Sequence, residues 1–292
     1  MNQNIVSVIG IVAAVTIATG VSIAGGQGGI QLAGISVLLL FGLVAFSVQW
    51  LAFIPAFVFQ TEKYYDLIGS MTYIGLALAA LLLSDQQPGS IVIALMVMIW
   101  ALRLGSFLFI RVRAAGHDSR FKSIKPDFLQ FLMTWTLQGL WVFITFAAGL
   151  TALTSGAQHS IDGFVIVGTT LWLIGFSIEV IADKQKSAFR SDPANQNKFI
   201  KHGLWARSRH PNYFGEIVLW TGVAVAAIPA LEGWQYLTLI SPVFVFILLT
   251  KISGVRMLEH KAQRMWGNDQ SYQSYYEQTP SLWISLTMPK SR

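Results

Sequence analysis

Eight long apolar runs decide what this chain can become. In order they are Ile5 to Ala24, Ile30 to Phe59, Leu67 to Leu83, Ile91 to Ile110, Phe128 to Leu150, Ile161 to Ala182, Phe214 to Ala230 and Tyr236 to Thr250. A helix needs roughly 20 mainly apolar residues to cross a bilayer, with about 17 the practical minimum. Inside hydrocarbon every backbone polar group must bond within its own segment, so such runs have to be helices. The expected fold class is therefore all-α, a multi-pass transmembrane bundle of about eight spans. The last run is short and the second is long enough to hold a break at Pro55, so seven and nine are the neighbouring counts. Charged residues make up only 12% of the 292 residues, about half the share usual in a soluble domain. The first run has no basic residue before it and exceeds a signal-peptide core, which marks a retained helix. Zero cysteines remove disulfides, thiolate nucleophiles and Cys-type metal sites.

Orientation follows from the charges. With eight spans, one side of the membrane receives Gly25 to Gly29, Ser84 to Ser90, Thr151 to Ser160 and Leu231 to Gln235, none of which holds a Lys or Arg. All 20 Lys and Arg lie elsewhere: Lys63, Arg111 to Lys125, Lys184 to Arg209 and Lys251 onward, with Arg103 alone inside a span. The positive-inside rule puts those loops and both termini in the cytoplasm. The net charge of +6 is accounted for by topology and anionic lipid, not by a nucleic-acid partner.

Ionisable and polar residues gather at that same face. Glu62 and Asp66 stand at the start of the third run and Arg103 in the fourth. Glu179 and Asp183 end the sixth, and Asn212 and Glu216 begin the seventh. Pro211 suits the first turn of a helix, where its missing N–H is no loss, and Asn212 and Glu216 then share a face beside Tyr213. On the third run Glu62, Asp66, Gly69 and Tyr73 follow a three-to-four spacing. Intramembrane carboxylates are costly and mark functional sites or internal ion pairs. Two readings follow: a polar chamber open to the cytoplasm, or structural pairs such as Arg103 with Glu216. An anionic cofactor would draw on Arg111, Arg113, Arg120, Lys122, Arg190, Lys198, Lys201, Arg207 and Arg209, because phosphates take Arg forks and Lys charges. His210 beside the proline is either a helix-start residue or a phosphate or carboxamide donor. The five histidines are scattered along the loops, which argues against a metal centre. No P-loop, GxGxxG, HExxH or Gly-x-Ser-x-Gly element is present, so a Rossmann domain is excluded.

The stretch HGLWARSRHPNYFGE, the tail MLEHKAQRMWGNDQSYQSYYEQTPSLWI and the segments TEKYYDLIGSMTY, WALRLGSFLFIRVR and HDSRF resemble the bacterial DUF1295 proteins of the steroid 5α-reductase family. The likeness covers most of Gln60 to Trp283 and leaves out the first two spans, so residues 1–59 are expected to be accessory helices and 60–292 the catalytic domain. The resemblance implies a membrane enzyme that binds NADPH on the cytoplasmic side and reduces a carbon–carbon double bond conjugated to a ketone. It implies that Asn212 and Glu216 touch the nicotinamide end; Tyr213 and Glu179 are expected in the cofactor set as well. It further implies that Asp183 and Arg190 lie near the adenosine and phosphates, that Arg103 lines the cofactor helix, and that Arg256 and His260 are basic positions of the last segment. Arg111, Arg120, Lys198, Arg209 and His210 complete the expected cofactor set.

Where eukaryotic members hold the ketone with a Glu and a Tyr, the best register here offers Asp66 and Trp100, with Glu62 and Tyr73 as substitutes. Asp66, Glu62 and Tyr73 are thus the catalytic candidates. The expected substrate is a lipid-like enone that enters from the bilayer, and the expected assembly is a monomer. Arg-His-Pro-x-Tyr-x-Gly also occurs in membrane methyltransferases of the isoprenylcysteine and phospholipid type, which use S-adenosylmethionine. Those enzymes usually carry a Glu-Glu pair where this chain has Glu259-His260, and a sulfonium ligand has little use for so many cations.

Overall fold

The computed structural model describes residues 2–285 and is helical almost throughout. The basic residues Lys290 and Arg292 of the tail lie outside the described residues. Eight helical segments among the described residues are long and apolar enough to cross a membrane, the number expected. The protein is an integral membrane protein. Its chain forms two compact units, residues 1–169 with 223–241 and residues 170–222 with 242–292.

The first unit contains α1 (Gln3–Gly25), a short hairpin of β1 (Gln31–Leu32) and β2 (Ile35–Ser36), α2 (Val37–Val58), α3 (Tyr65–Leu83), α4 (Pro88–Ala115) and α5 (Phe128–Thr154). Helix α5 is its axis: from Leu140 to Thr154 almost every side chain is buried, including Phe143, Ile144 and Phe146. A helix apolar all round belongs inside a bundle, and α1, α2 and α3 pack along it. The two N-terminal helices therefore share a core with α3–α5. Polar side chains cross-link the bundle, as Gln49 Nε2 donates to Thr72 Oγ1 at 2.9 Å, Trp50 Nε1 to Thr136 Oγ1 at 3.0 Å and Ser241 Oγ to the Ile144 carbonyl at 2.7 Å. Such bonds hold helices together where lipid removes the hydrophobic drive.

Two boundaries differ from expectation. Helix α2 runs through Pro55 to Val58, and the chain turns only at Gln60, which takes a positive φ of 50°. Helix α3 starts at Tyr65, so Glu62 precedes it and cannot share its face with Asp66 and Tyr73.

At the opposite, cation-free side His159 is fully buried. Its Nε2 lies 2.9 Å from the Ala226 carbonyl, which can only accept, so Nε2 carries the hydrogen and Nδ1 accepts from Ser90 Oγ at 3.1 Å. A methyl group on Gly89 would sit 2.6 Å from the ring. Burial holds the imidazole pKa below its ordinary 6.5, against the opposing pull of the Ala226 carbonyl and Asp162.

The second unit holds α6 (Gly163–Ser191) from residue 170, α7 (Pro211–Ala227) to residue 222, α8 (Ile240–Ile247), α9 (Val255–Trp266) and α10 (Gln270–Gln278). At 29 residues α6 is about 44 Å long, more than the roughly 30 Å of a hydrocarbon core, so its charged last turns stand beyond the apolar layer. The last membrane segment, Gly233–Trp266, is not one regular helix: a 3₁₀ stretch leads into α8, a π turn follows at Leu248–Ile252, and the helix breaks at Ser253 and Gly254 before α9. Helices α6 and α7 touch through glycines. A Cβ on Gly175 would lie 2.5 Å from the Gly215 carbonyl oxygen and from the Leu219 nitrogen, and one on Gly215 would lie 2.6 Å from the Gly175 oxygen.

Gly175→Ala forces backbone against backbone and should cost about 1–3 kcal/mol, whereas Gly75→Ala in α3, with nothing within 4 Å, should leave thermal unfolding in detergent unchanged or slightly raised. The depressed His159 pKa makes a second expectation. Unfolding frees an imidazole that binds a proton more readily than the folded one, so the His159 contribution is complete above pH about 6.5 and is lost as pH falls below it. His159→Gln should flatten that part of the stability–pH curve.

Candidate functional site

The residues expected at the site fall into two sets, one in each unit. In the second unit α7 begins at Pro211 as its sequence dictates. Its contacts with α6 step from Gly175 against Leu219, through Glu179 against Gly215, to Asp183 against Asn212, so the two helices run in opposite directions. Asn212 Nδ2 donates to Asp183 Oδ1 at 3.4 Å. Glu179, Asp183 and Glu216 are 3%, 8% and 8% exposed. One helix pair thus encloses three acids and an amide, the close glycine approach bringing them to neighbouring turns.

The loop that precedes α7 is pinned from both sides. Trp205 Nε1 donates to the Ala182 carbonyl at the end of α6 at 3.0 Å, and Lys186 Nζ lies over the Trp205 ring. The C-terminal segment pairs with the other side: Arg209 N donates to the Pro280 carbonyl at 2.9 Å, Ser285 N to the Arg207 carbonyl at 3.0 Å, and Ser208 Oγ to the Leu282 carbonyl at 2.8 Å. Between them sits Glu259 of α9. Its Oε1 receives Arg209 Nε at 3.0 Å, Arg209 NH2 at 2.8 Å and Ser281 Oγ at 2.8 Å, and lies 3.4 Å from His210 Nε2. Arg209 NH1 donates to the Tyr276 and Thr279 carbonyls, and the guanidinium lies over the Tyr276 ring.

Arg209, expected among the cofactor's ligands, has every arm of its fork bonded within the protein. Glu259 was not among the expected site residues. The signal for it was its isolation, as the one acid of the basic helix VRMLEHKAQRMW. His210 is 6% exposed and stacks on Tyr213, with planes 9° apart. Burial pulls its pKa below 6.5; Glu259 opposes that, while Lys186 and Arg209 add to it. Both of its ring nitrogens are buried without a hydrogen-bond partner among the described residues, the Glu259 carboxylate lying 3.4 Å from Nε2. Arg190, Lys198, Arg256 and His260 are exposed on this unit.

In the first unit Glu62 is taken up by the loop between α4 and α5. Its Oε1 accepts from Asp118 N at 2.9 Å and its Oε2 from Lys125 Nζ at 2.8 Å, with 5% of the residue exposed. Burial would raise its pKa, but Lys125 and the Asp118 amide outweigh that and hold it below the usual carboxylate range. Arg120 bridges two acids, with Nε and NH2 at 2.9 and 2.6 Å from Asp118 Oδ2 and NH2 at 3.5 Å from Asp66 Oδ2. Burial would lower the Arg120 pKa; Asp118 and Asp66 raise it instead. Asp66 occupies the first turn of α3, while Tyr73 OH reaches Thr145 Oγ1 and the Trp141 carbonyl on α5. Arg103 is half-buried and Arg111 exposed, both over the Phe107 ring. Nearby, Lys63, Tyr64, Phe109 and Arg113 line a surface cleft of about 320 Å³.

Residues 52–279 match the family described as "Protein of unknown function (DUF1295)". The chain belongs to that family. The matched stretch of this DUF1295 protein begins inside α2 and includes both clusters except the C-terminal residues from Pro280 onward. Over 88 residues the chain is 33% identical to 3-oxo-5-alpha-steroid 4-dehydrogenase 1 of Bos taurus, which is 30% of this chain and 32% of that protein. Over 92 residues it is 25% identical to the probable O-methyltransferase ustE of Ustilaginoidea virens, 32% of each. The likeness thus spans about a third of the length of either relative. No solved structure matches.

Because Glu259 and Arg209 are only 21% and 12% exposed, truncating one strands the other. Arg209→Ala should lower stability by an amount near the lower end of about 3–5 kcal/mol, measured by thermal unfolding without added ligand. Lys198→Ala, at an exposed position, should be neutral in the same assay.

Proposed function

We propose that this DUF1295 protein is an integral-membrane, NADPH-dependent reductase of a carbon–carbon double bond conjugated to a ketone, acting on a lipid-like substrate that enters from the bilayer. The observation that carries the proposal is the buried cluster on α6 and α7, where Asn212, Asp183, Glu179 and Glu216 adjoin a histidine with an unsatisfied ring nitrogen. A buried polar atom without a partner is costly, and a carboxamide-bearing ligand would supply one. The donor set fits a dinucleotide: Asn212 and Glu216 offer a donor and acceptors for the carboxamide, while Arg190, Lys198 and Arg256 offer cations at the surface for phosphates. The likeness to the bovine steroid dehydrogenase supports the same chemistry.

The dinucleotide, when bound, supplies hydride; the chain supplies position and electrostatics. Of the three catalytic candidates, Asp66 carries the role of polarising the substrate ketone: its contact with Arg120 is the long one, at 3.5 Å, whereas Glu62 is bonded to Lys125 and Asp118 and Tyr73 to α5. Arg103 and Arg111 add positive charge in the first unit, and the protein works as a monomer with bilayer lipid as its surroundings. A second reading, an S-adenosylmethionine-dependent methyltransferase, is favoured by the likeness to the O-methyltransferase and by the Arg209-His210-Pro211 element.

Calorimetry on purified protein separates the two. NADPH should bind more tightly than NADH, with affinity falling as salt screens the phosphate contacts; binding of S-adenosylmethionine without dinucleotide binding would select the second reading. Glu216→Gln should stay folded and lose NADPH affinity about tenfold or more. A group that acts on charge developing in the transition state affects turnover more than ground-state binding. Asp66→Ala should therefore keep its NADPH affinity while reduction of a Δ4-3-ketosteroid falls on the order of 100-fold to 1000-fold.

A further inference from the structure

The contacts of Glu259 say more than that it braces a loop. A carboxylate accepts and cannot donate, so a ring nitrogen facing it must carry its hydrogen to be attracted. His210 Nε2 faces Glu259 Oε1 at 3.4 Å, and the same oxygen is fixed by the Arg209 fork and by Ser281 Oγ. Glu259 is thus held in place by groups other than the histidine, and the histidine adjusts to it. The imidazole is also fixed in plane, stacked on Tyr213 with the planes 9° apart.

The charged and titratable groups around it are Glu259 from α9, Lys186 from α6, Arg209 from its own loop and Tyr213 from α7. The two cations and the burial keep the ring neutral near pH 7. With the hydrogen on Nε2, the other nitrogen keeps its lone pair. Both ring nitrogens are buried without a full hydrogen bond among the described residues; Nε2 has the Glu259 carboxylate 3.4 Å away, whereas Nδ1 has no such contact.

We propose that Glu259 is a positioning residue that selects the Nε2–H tautomer of His210, so that Nδ1 is a hydrogen-bond acceptor presented to an N–H or O–H group of the bound ligand. This inverts the donor role expected from the sequence for His210. It rests on the reductase reading for the identity of that ligand, the dinucleotide, whose carboxamide N–H and ribose O–H groups are the available donors. The tautomer itself does not depend on that reading.

The test joins a spectroscopic readout to two replacements of the ring. In protein carrying ¹⁵N-labelled histidine, reconstituted in detergent, the His210 signals are identified by their loss in His210→Asn. Nδ1 should resonate as an unprotonated nitrogen and Nε2 as a protonated one, and saturating NADPH should shift the Nδ1 signal. His210→Asn, whose Oδ1 replaces Nδ1 as an acceptor, should keep NADPH affinity within about threefold. His210→Phe, of similar shape but with no acceptor, should lose about tenfold or more. Glu259→Gln should mix the tautomers if it folds; the wild-type spectrum decides the matter if it does not.

A hydrogen on Nδ1 in the wild-type protein would overturn the role of Glu259. An Nδ1 signal unmoved by NADPH that does bind, or equal affinity in the Asn and Phe variants, would overturn the acceptor role. Absence of any NADPH binding to the wild-type protein would instead sink the reductase reading and the ligand assignment with it, leaving the tautomer to stand or fall on the spectrum.

Discussion

Helices α6 and α7 meet where neither can carry a methyl group, and the chemistry of the second unit depends on that contact. Gly175 lies against the Gly215 carbonyl, Gly215 against the Gly175 carbonyl and the Glu179 amide. In a bilayer lipid tails are as apolar as leucine, so close backbone packing at small residues takes over the work of the hydrophobic effect. The consequence is steric and then electrostatic. With the axes this close, the next turns place Glu179 and Asp183 opposite Gly215 and Asn212, so two acids enter one narrow interface, and a third, Glu216, is buried next to Gly215. A wider crossing would leave room for water and remove the constraint that makes these groups unusual.

A second constraint closes the cationic loop. The segment from Trp205 to His210 is bonded to Ala182 of α6 on one side and to residues 280–285 on the other, with Glu259 neutralising Arg209. Arg209, Arg120 and Lys125 are spent on acids of this chain, which orders the loops that carry them. Lys198 and Arg256 are exposed at the surface.

Much of this was legible before any coordinates. Length and hydropathy gave the spans because the bilayer admits few alternatives, and Pro211 marked the start of α7 because proline tolerates so few positions in a helix. Asn212, Glu216, Glu179 and Asp183 were found by the cost of placing acids in apolar runs. Three features were not readable, for one shared reason: each depends on a partner far away in sequence. Glu62 looked like part of α3 by its spacing, yet Lys125 and the Asp118 amide hold it ahead of the helix. Arg209 looked like a free cation by its neighbours, yet Glu259, 50 positions on, holds its Nε and NH2. His159 looked like a loop residue, and only the Ala226 carbonyl, 67 positions away, makes it a buried tie. Pro55 misled differently, since α2 absorbs it without ending.

The central claim, that this membrane protein moves hydride from NADPH to an enone, is tested most directly by isotope transfer. NADPH carrying deuterium at the reactive C4 position would be incubated with the reconstituted protein and a Δ4-3-ketosteroid, and the product analysed by mass spectrometry. The account predicts one deuterium per product molecule, at the β carbon, and none at the α carbon, which takes its proton from solvent. Reduced product without deuterium, or a substrate returned unreduced but carrying a methyl group from labelled S-adenosylmethionine, would contradict it.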